Sequence, residues 1–339
     1  MTILYHISYP RGLGADRWIY DGWKNAFEDL GHRVYAVRNE REIIELAEEI
    51  KPDLLMTYAS LWDFNNWVFA RPMVLRRPKI VMFIDDDILK NSKFIQLAKE
   101  GHLADIYFGE RSEEMMADFE KITGQIYHLI PNAADKTKYF PVVPVEEYKC
   151  DICFVGAYLP KKKEAFKKLI FPLLKKYDVR IYGSYWTWKD LLLLAGNKLF
   201  RQLKFYPVAD FFNRQRLILP AEDENKLYSS AKICLNIHER DPSTSSGQAG
   251  KDYDLVNQRT FKIAASGGFQ ICDKVKSLRN FFAQEEVIMA SDNEWLEKID
   301  YYLTHEKERR EIQKKGTTRA LKEHTYHNRV ERLFKICSL

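Results

Sequence analysis

Arg259, Lys262 and Ser266 share one face of a short helical stretch that runs directly into Gly267-Gly268 and the apolar Phe269-Gln270-Ile271-Cys272. Phe261, Ala264 and Ala265, at i, i+3 and i+4, form that helix's apolar stripe. The glycines stop it where a left-handed or crowded backbone is needed. A guanidinium beside the first N–H groups of a helix is chemistry for an anion, and Gly267 and Gly268 let a ligand come close to backbone. The same letters also make an ordinary helix–strand packing unit.

Other candidates lie along the chain. Gly12-Leu13-Gly14 follows an apolar run but lacks the third glycine of a dinucleotide fingerprint, so it is a weak ligand-loop signal or a plain turn. Asp85-Asp86-Asp87 ends a strand, where α/β sheets place ligands; it reads as acceptor-side carboxylates, a helix cap or an Asp-x-Asp metal pair. Gly156 ends the strand Asp151–Val155, and the lysines from Lys161 open a helix; backbone N–H groups and ammonium groups there suit a diphosphate or simply solvate a basic helix start. His238-Glu239 close another strand. Cys150 and Cys153 form a lone C-x-x-C with no second pair at metal-ligand spacing, so no metal is expected.

These groups need elements to position them. The first forty residues read as strand, glycine loop, helix with Trp18, Trp23, Phe27 and Leu30 on one face, then strand, a βαβ opening. The alternation continues through a helix Glu40–Ile50 capped by Asn39 and strands at Leu54–Tyr58, Lys79–Ile84, Ala104–Phe108 and Ile126–Ile130. It breaks at Pro131 to Pro144, the best linker, and resumes with strands near 151–156, 179–183 and 232–237. Two α/β domains are therefore expected, 1–143 and 144–339, a fair division of 339 residues. Residues 184–220 look inserted. From Lys161 to Arg216 there are 14 Lys/Arg against 4 Asp/Glu, an excess of +10. The interleaved aromatics suit an amphipathic helix pair with an aromatic core, or a surface for membrane interfaces, nucleic acids or polyanions.

Composition is that of an ordinary globular chain, 46% hydrophobic and 30% charged, with a net charge of +5 too mild to imply a polyanionic partner by itself. Five scattered cysteines and the lack of a signal-like start point to a cytoplasmic setting.

Taken in order, several segments resemble the CgeB-type, spore-maturation-like glycosyltransferases: FVG at Phe154–Gly156, YG at Tyr182–Gly183, KLYSSAKICLNIH at Lys226–His238, RTFKIAASGGFQICD at Arg259–Asp273 and EHTYHNRV at Glu323–Val330. PNAAD at Pro131–Asp135 looks like that family's interdomain hinge. The resemblance implies an α/β fold of two Rossmann-like domains facing across a cleft (GT-B-like), with the last helix packing back on the first domain. It implies a metal-independent transferase that takes a sugar from a nucleotide-sugar donor. The donor would meet Tyr182 and Gly183 near the base, and Arg259, Gly156 and Lys161 near the diphosphate. His238 and the Gly267–Phe269 backbone would lie close by, and the Gly12–Asp16 loop, with Gly12 and Gly14, would face the donor. If transfer inverts configuration, Asp16 or Asp85 would be the base. The family's usual Arg-x-Phe-Glu reads Arg259-Thr260-Phe261-Lys262 here. A lysine cannot accept hydrogen bonds from ribose hydroxyls; Asp254 would keep a carboxylate near the sugar, and Lys262 would share an anion with Arg259. Acceptors left open are a glycan, a protein or a small molecule, with peripheral membrane contact. The rivals are a non-catalytic sugar-nucleotide or glycan-binding protein and a transferase acting on nucleic acid.

Overall fold

The structure is a computed structural model that describes residues 1–7, 16–64, 78–101, 103–159, 162–216, 218–238 and 255–339. Gly12, Gly14, Lys161, Glu239 and Asp254 lie outside the described residues, and of Asp16 only the helical backbone is described. The chain divides into two compact units. One holds Met1–Thr137 and His324–Leu339; the other holds the described part of 138–323.

The first unit is built on six parallel strands: β1 (Thr2–His6), β2 (Arg33–Val37), β3 (Leu54–Tyr58), β4 (Lys79–Phe83), β5 (Ile106–Gly109) and β6 (Tyr127–Leu129), in the order β2-β1-β3-β4-β5-β6. β1 and β3 are near-continuous apolar runs because helices cover both faces. Alternation along them divides the core into two layers. Leu4, Leu55, Ile80, Met82 and Tyr107 pack on one face with Phe94 and Phe119. Ile3, Tyr5, Met56, Val81 and Phe108 pack on the other with Trp23, Phe27 and Leu333. The helix Glu40–Ile50 begins where its cap directs: the Asn39 side chain accepts the Glu42 N–H at 3.0 Å.

The chain's last helix, Tyr326–Cys337, belongs to this unit. The Tyr326 ring lies so close to Gly22 that a Cβ there would sit 2.2 Å from ring carbons. Ala134 bridges Thr325 in parallel, donating its N–H to His324 O and accepting from Tyr326 N, both at 2.9 Å. Arg329 Nε donates to Pro131 O at 2.9 Å. The PNAAD and EHTYHNRV segments thus hold each other.

The second unit has five parallel strands: β7 (Ile152–Val155), β8 (Val179–Tyr182), β9 (Ile233–Asn236), β10 (Gln270–Asp273) and β11 (Ile288–Ala290), in the order β11-β10-β9-β7-β8. Ile152, Phe154, Leu235, Ile271 and Trp295 form one core layer; Cys153, Cys234, Leu227, Tyr228 and Ile263 form the other. From β7 the chain moves to one side for β8 and then to the other side for β9. The carboxyl ends of β7 and β9 are therefore a topological switch point, the place where an open parallel sheet offers a crevice. The inserted stretch forms the helix pair Trp188–Gln202 and Tyr206–Arg214. Phe200 stacks on Phe212 inside the pair, 5.6 Å between ring centroids, but Trp188, Phe205 and Phe211 face solvent instead of a core.

Candidate active site

At the switch point of the second sheet three segments converge: Gly156 after β7, Asn236 to His238 at the end of β9, and the first turn of the helix Gln258–Ala265. Asn257 caps that helix, its Oδ1 accepting the Thr260 N–H at 3.1 Å. Asn236 joins the pieces: its Nδ2 donates to Asn257 Oδ1 at 3.1 Å and to Thr260 Oγ1 at 2.9 Å, and its Oδ1 accepts from Arg259 Nη1 at 3.1 Å. The Arg259 guanidinium lies over the Phe154 ring, 5.1 Å from its centroid, a stacking that suits a weakly hydrated planar cation. The side chain is half-buried and, among the described residues, is held by one neutral oxygen and one ring face.

Glycine is required where this arginine passes. A Cβ on Gly156 would stand 2.8 Å from Arg259 Nη2. Gly183, after β8, has φ +141° and packs against the Gly156 carbonyl; a Cβ there would meet that oxygen at 2.1 Å. Tyr182 is half-buried and its carbonyl accepts the Gly156 N–H at 2.8 Å, while Trp186 Nε1 donates to Gly156 O at 2.6 Å. Gly156, Tyr182, Gly183 and Arg259 are therefore neighbours.

His238 is buried. Its Nδ1 donates to Asp273 Oδ1 at 2.7 Å, its backbone N–H donates to the same oxygen at 2.9 Å, and Nε2 lies 3.3 Å from Thr260 Oγ1. A polar string thus runs from Asp273 through His238, Thr260 and Asn236 to Arg259. The string ties the end of β9 and the start of β10's crossover helix together, and His238 is one of its links. Lys162, next to the expected Lys161, turns inward and donates from Nζ to Ile237 O at 3.1 Å.

Two expectations are corrected. Gly267, Gly268 and Phe269 sit at the far end of the same helix, where β10 begins, away from the strands' carboxyl ends, and all three are buried. Gly267 takes φ +75°, and Gly268 N–H donates to Ile263 O at 2.9 Å, so the pair closes the helix C-terminus. Phe269 packs on Tyr302 in the core. Lys262 lies one turn inside the helix and is 5% exposed. Its ammonium reaches Glu224 at 2.5 and 2.7 Å and lies 4.7 Å from the Tyr139 ring centroid. Glu224 also accepts from Tyr228 and Tyr139, at 2.7 and 3.0 Å. Burial pulls the Lys262 pKa below its ordinary value while Glu224 opposes the shift. The anion beside Lys262 is thus a carboxylate of the preceding helix, Ala221–Ser230.

In the first unit Asp85, Asp86 and Asp87 follow β4. Asp86 pairs with Arg111 at 2.9 Å and Asp87 with Lys90 at 2.7 Å. The following helix, Ser92–Lys99, is capped by Asn91 and not by this triplet. Asp85 stays half-buried, its carboxyl raised by burial first and then by Asp87 and Asp86, against Arg111. At the end of β1, His6 Nδ1 is 2.9 Å from Thr57 Oγ1, which also accepts from Trp62 Nε1 at 2.7 Å. Burial lowers the His6 pKa to about 4. Neither His6 nor Asn236 stands out in the sequence, since one polar residue at the end of an apolar run carries no spacing signal. Asp273 closes the quoted motif and shows its role only through its bond to His238.

Two Rossmann-like parallel sheets in one chain are the parts of a GT-B fold. Residues 162–335 match the glycosyl transferase-like family model, and the chain belongs to that family. No curated protein matches the sequence. Among solved structures, sucrose-phosphate synthase from Thermosynechococcus elongatus is similar over 99% of this chain and 98% of its own, at 12% identity and TM-score 0.60. HepE of Anabaena, in complex with UDP-glucose, is similar over 100% and 99%, at 13% identity and TM-score 0.61. An alpha-glucosyltransferase in complex with UDP and a 13-mer DNA is similar over 100% and 99%, at 11% identity and TM-score 0.65.

Proposed function

We propose that the protein is a CgeB-type glycosyltransferase whose second unit binds the donor nucleotide-sugar by its diphosphate at Arg259. The observation that carries this is the Arg259 guanidinium, half-buried above Gly156 at a helix N-terminus and hydrogen-bonded, among the described residues, to the neutral Asn236. A cation fixed beside the helix's first N–H groups stabilises the charge that grows on a departing diphosphate, and it does so with no need for a metal. Gly156 and Gly183 let Arg259 and the backbone after β7 and β8 pack closely beside the place of the phosphates, and Tyr182 borders the base. Lys262 does not weaken this reading. Its charge is taken up inside the unit by the buried Glu224, away from Arg259's partner Asn236. If transfer inverts configuration, Asp85, whose carboxyl pKa is raised by burial and by Asp87 and Asp86, is the first unit's candidate base.

Calorimetric titration with UDP-, GDP- and dTDP-glucose, with and without a chelator, tests this. Arg259→Ala is expected to keep its melting temperature and to lose about 1.5–3 kcal/mol of nucleotide-diphosphate binding, tenfold or more in affinity. Unchanged affinity in the folded variant would remove Arg259 from the phosphate site.

A further inference from the structure

We propose that the helical hairpin formed by Trp188–Gln202 and Tyr206–Arg214 is a docking surface for an anionic lipid bilayer. In a helix of a soluble domain the apolar stripe faces inward. Here the order is reversed. Trp188, Leu191, Leu192, Ala195, Leu199 and Leu203 recur every three or four residues along the first helix, and all are exposed, Trp188 at 75% and Leu192 at 61%. The residues buried on that helix are polar, Asp190 and Asn197. At the hairpin's turn and on its second helix, Phe205, Val208 and Phe211 continue the outward apolar surface, Phe211 at 60%.

The hairpin is rigidly mounted. Asp190 and Arg216 form a buried ion pair at 2.7 Å, Arg216 Nη2 donates to Ser184 Oγ at 3.0 Å, and Asn197 Nδ2 donates to Ala209 O at 2.6 Å. Gly196 lets the helices close, since a Cβ there would lie 2.7 Å from the Phe212 ring. The outward leucines are therefore set by a specific buried frame.

Charge selects the occupant. Lys189, Lys198 and Lys204 are exposed among the apolar residues, and the acidic side chain described in the hairpin, Asp190, is buried against Arg216. Lysines edging an apolar face match anionic headgroups above acyl chains, with aromatic side chains at the boundary. A second copy of the chain would bring the same lysines face to face across a two-fold interface. Single-stranded nucleic acid could stack on Trp188, Phe205 and Phe211 but would leave the outward Leu191, Leu192, Leu199 and Leu203 uncovered, whereas a bilayer covers both. Among the described residues no helix is long and apolar enough to cross a membrane, so the contact is in the plane of the interface.

The test is flotation of the full chain with phosphatidylcholine vesicles made with and without phosphatidylglycerol. Binding is expected to the phosphatidylglycerol vesicles and to fall as salt rises. Leu192→Ser/Leu199→Ser should lower the partition coefficient by about tenfold or more, and Lys198→Gln/Lys204→Gln by about fivefold for each lysine. Because these side chains are exposed, both variants should melt with the wild type. The lysine variant keeps the apolar face intact, so it decides the matter even if the leucine variant unfolds. Failure of the wild type to float, or flotation unchanged in the lysine variant, overturns the proposal. So does a wild type that binds single-stranded DNA and not vesicles. A dimer in light scattering that the leucine changes dissociate without altering flotation overturns it as well. Donor titration is independent of all these outcomes, so a failure here leaves the diphosphate site untouched.

Discussion

The substitution Lys262→Glu restores the residue usual in the resembling family, and the structure predicts that it damages the protein. Lys262 and Glu224 are both buried, at 5% and 3% exposure, with their charges 2.5 Å apart. Removing one partner of such a pair strands the other charge in a low-dielectric interior, at a cost of about 3–5 kcal/mol. Lys262→Glu adds a second carboxylate in the same space, so the cost falls at the upper end of that range or one carboxyl must stay protonated. For a domain of about 150–250 residues each kcal/mol moves Tm by about 2–4 °C, so scanning calorimetry should record a fall of about 6–20 °C. The double variant Lys262→Gln/Glu224→Gln provides the control. The amide introduced at position 224 keeps one acceptor oxygen for a tyrosine O–H or for the amide at position 262, and its NH2 can donate to the other hydroxyl, with no buried charge left over. The double variant should lose less stability than Lys262→Gln alone, and the difference measures the coupling. A Lys262→Glu protein that melts with the wild type and binds donor nucleotide more tightly would refute the reasoning, since the position would then open to ligand and Glu224 would not be its required partner.

Two further outcomes are expected. His6 is neutral and buried, with its pKa lowered by burial from 6.5 to about 4; the unfolded chain then binds a proton that the native state does not, so stability is full above about pH 6.5 and is lost by about 3 kcal/mol as pH falls towards 4. His6→Gln, which keeps a partner for Thr57, should flatten that limb in fluorescence-monitored melts, and an unchanged limb would assign the acid sensitivity elsewhere. If transfer inverts configuration, Asp85→Asn should abolish turnover while leaving nucleotide affinity intact; because the Asp85 carboxyl is raised, the acid limb of the wild-type rate should lie above the ordinary carboxylate range. Full turnover by the variant would exclude it as the base.

Local chemistry was legible where it is self-contained. Asn39 announces the helix Glu40–Ile50 because a cap and an apolar period are adjacent in the chain, and strands such as Leu54–Tyr58 are runs that could be nothing else once buried on both faces. Boundaries slipped where a cap competes with a charge. The helix Glu113–Thr123 starts there and not at Glu110 because the Ser112 side chain accepts the Met115 N–H in its first turn. The proposed anion site at the start of Gln258–Ala265 is suggested already by Arg259, since a basic residue in a first turn works against the helix dipole unless it serves something else. The double glycine misled for a related reason: φ > 0 is needed equally to end a helix and to admit a ligand, and only the direction of the helix relative to the sheet separates the two. Lys262 could not be understood locally, because its partner lies 38 residues away on another helix. The hairpin is the sharpest case. Its period is helical whether the apolar stripe points in or out, so sequence yields the helices but not their rotation. The rotation is set by Asp190 reaching Arg216 and Asn197 reaching Ala209 O, polar contacts that turn the leucines towards whatever covers them.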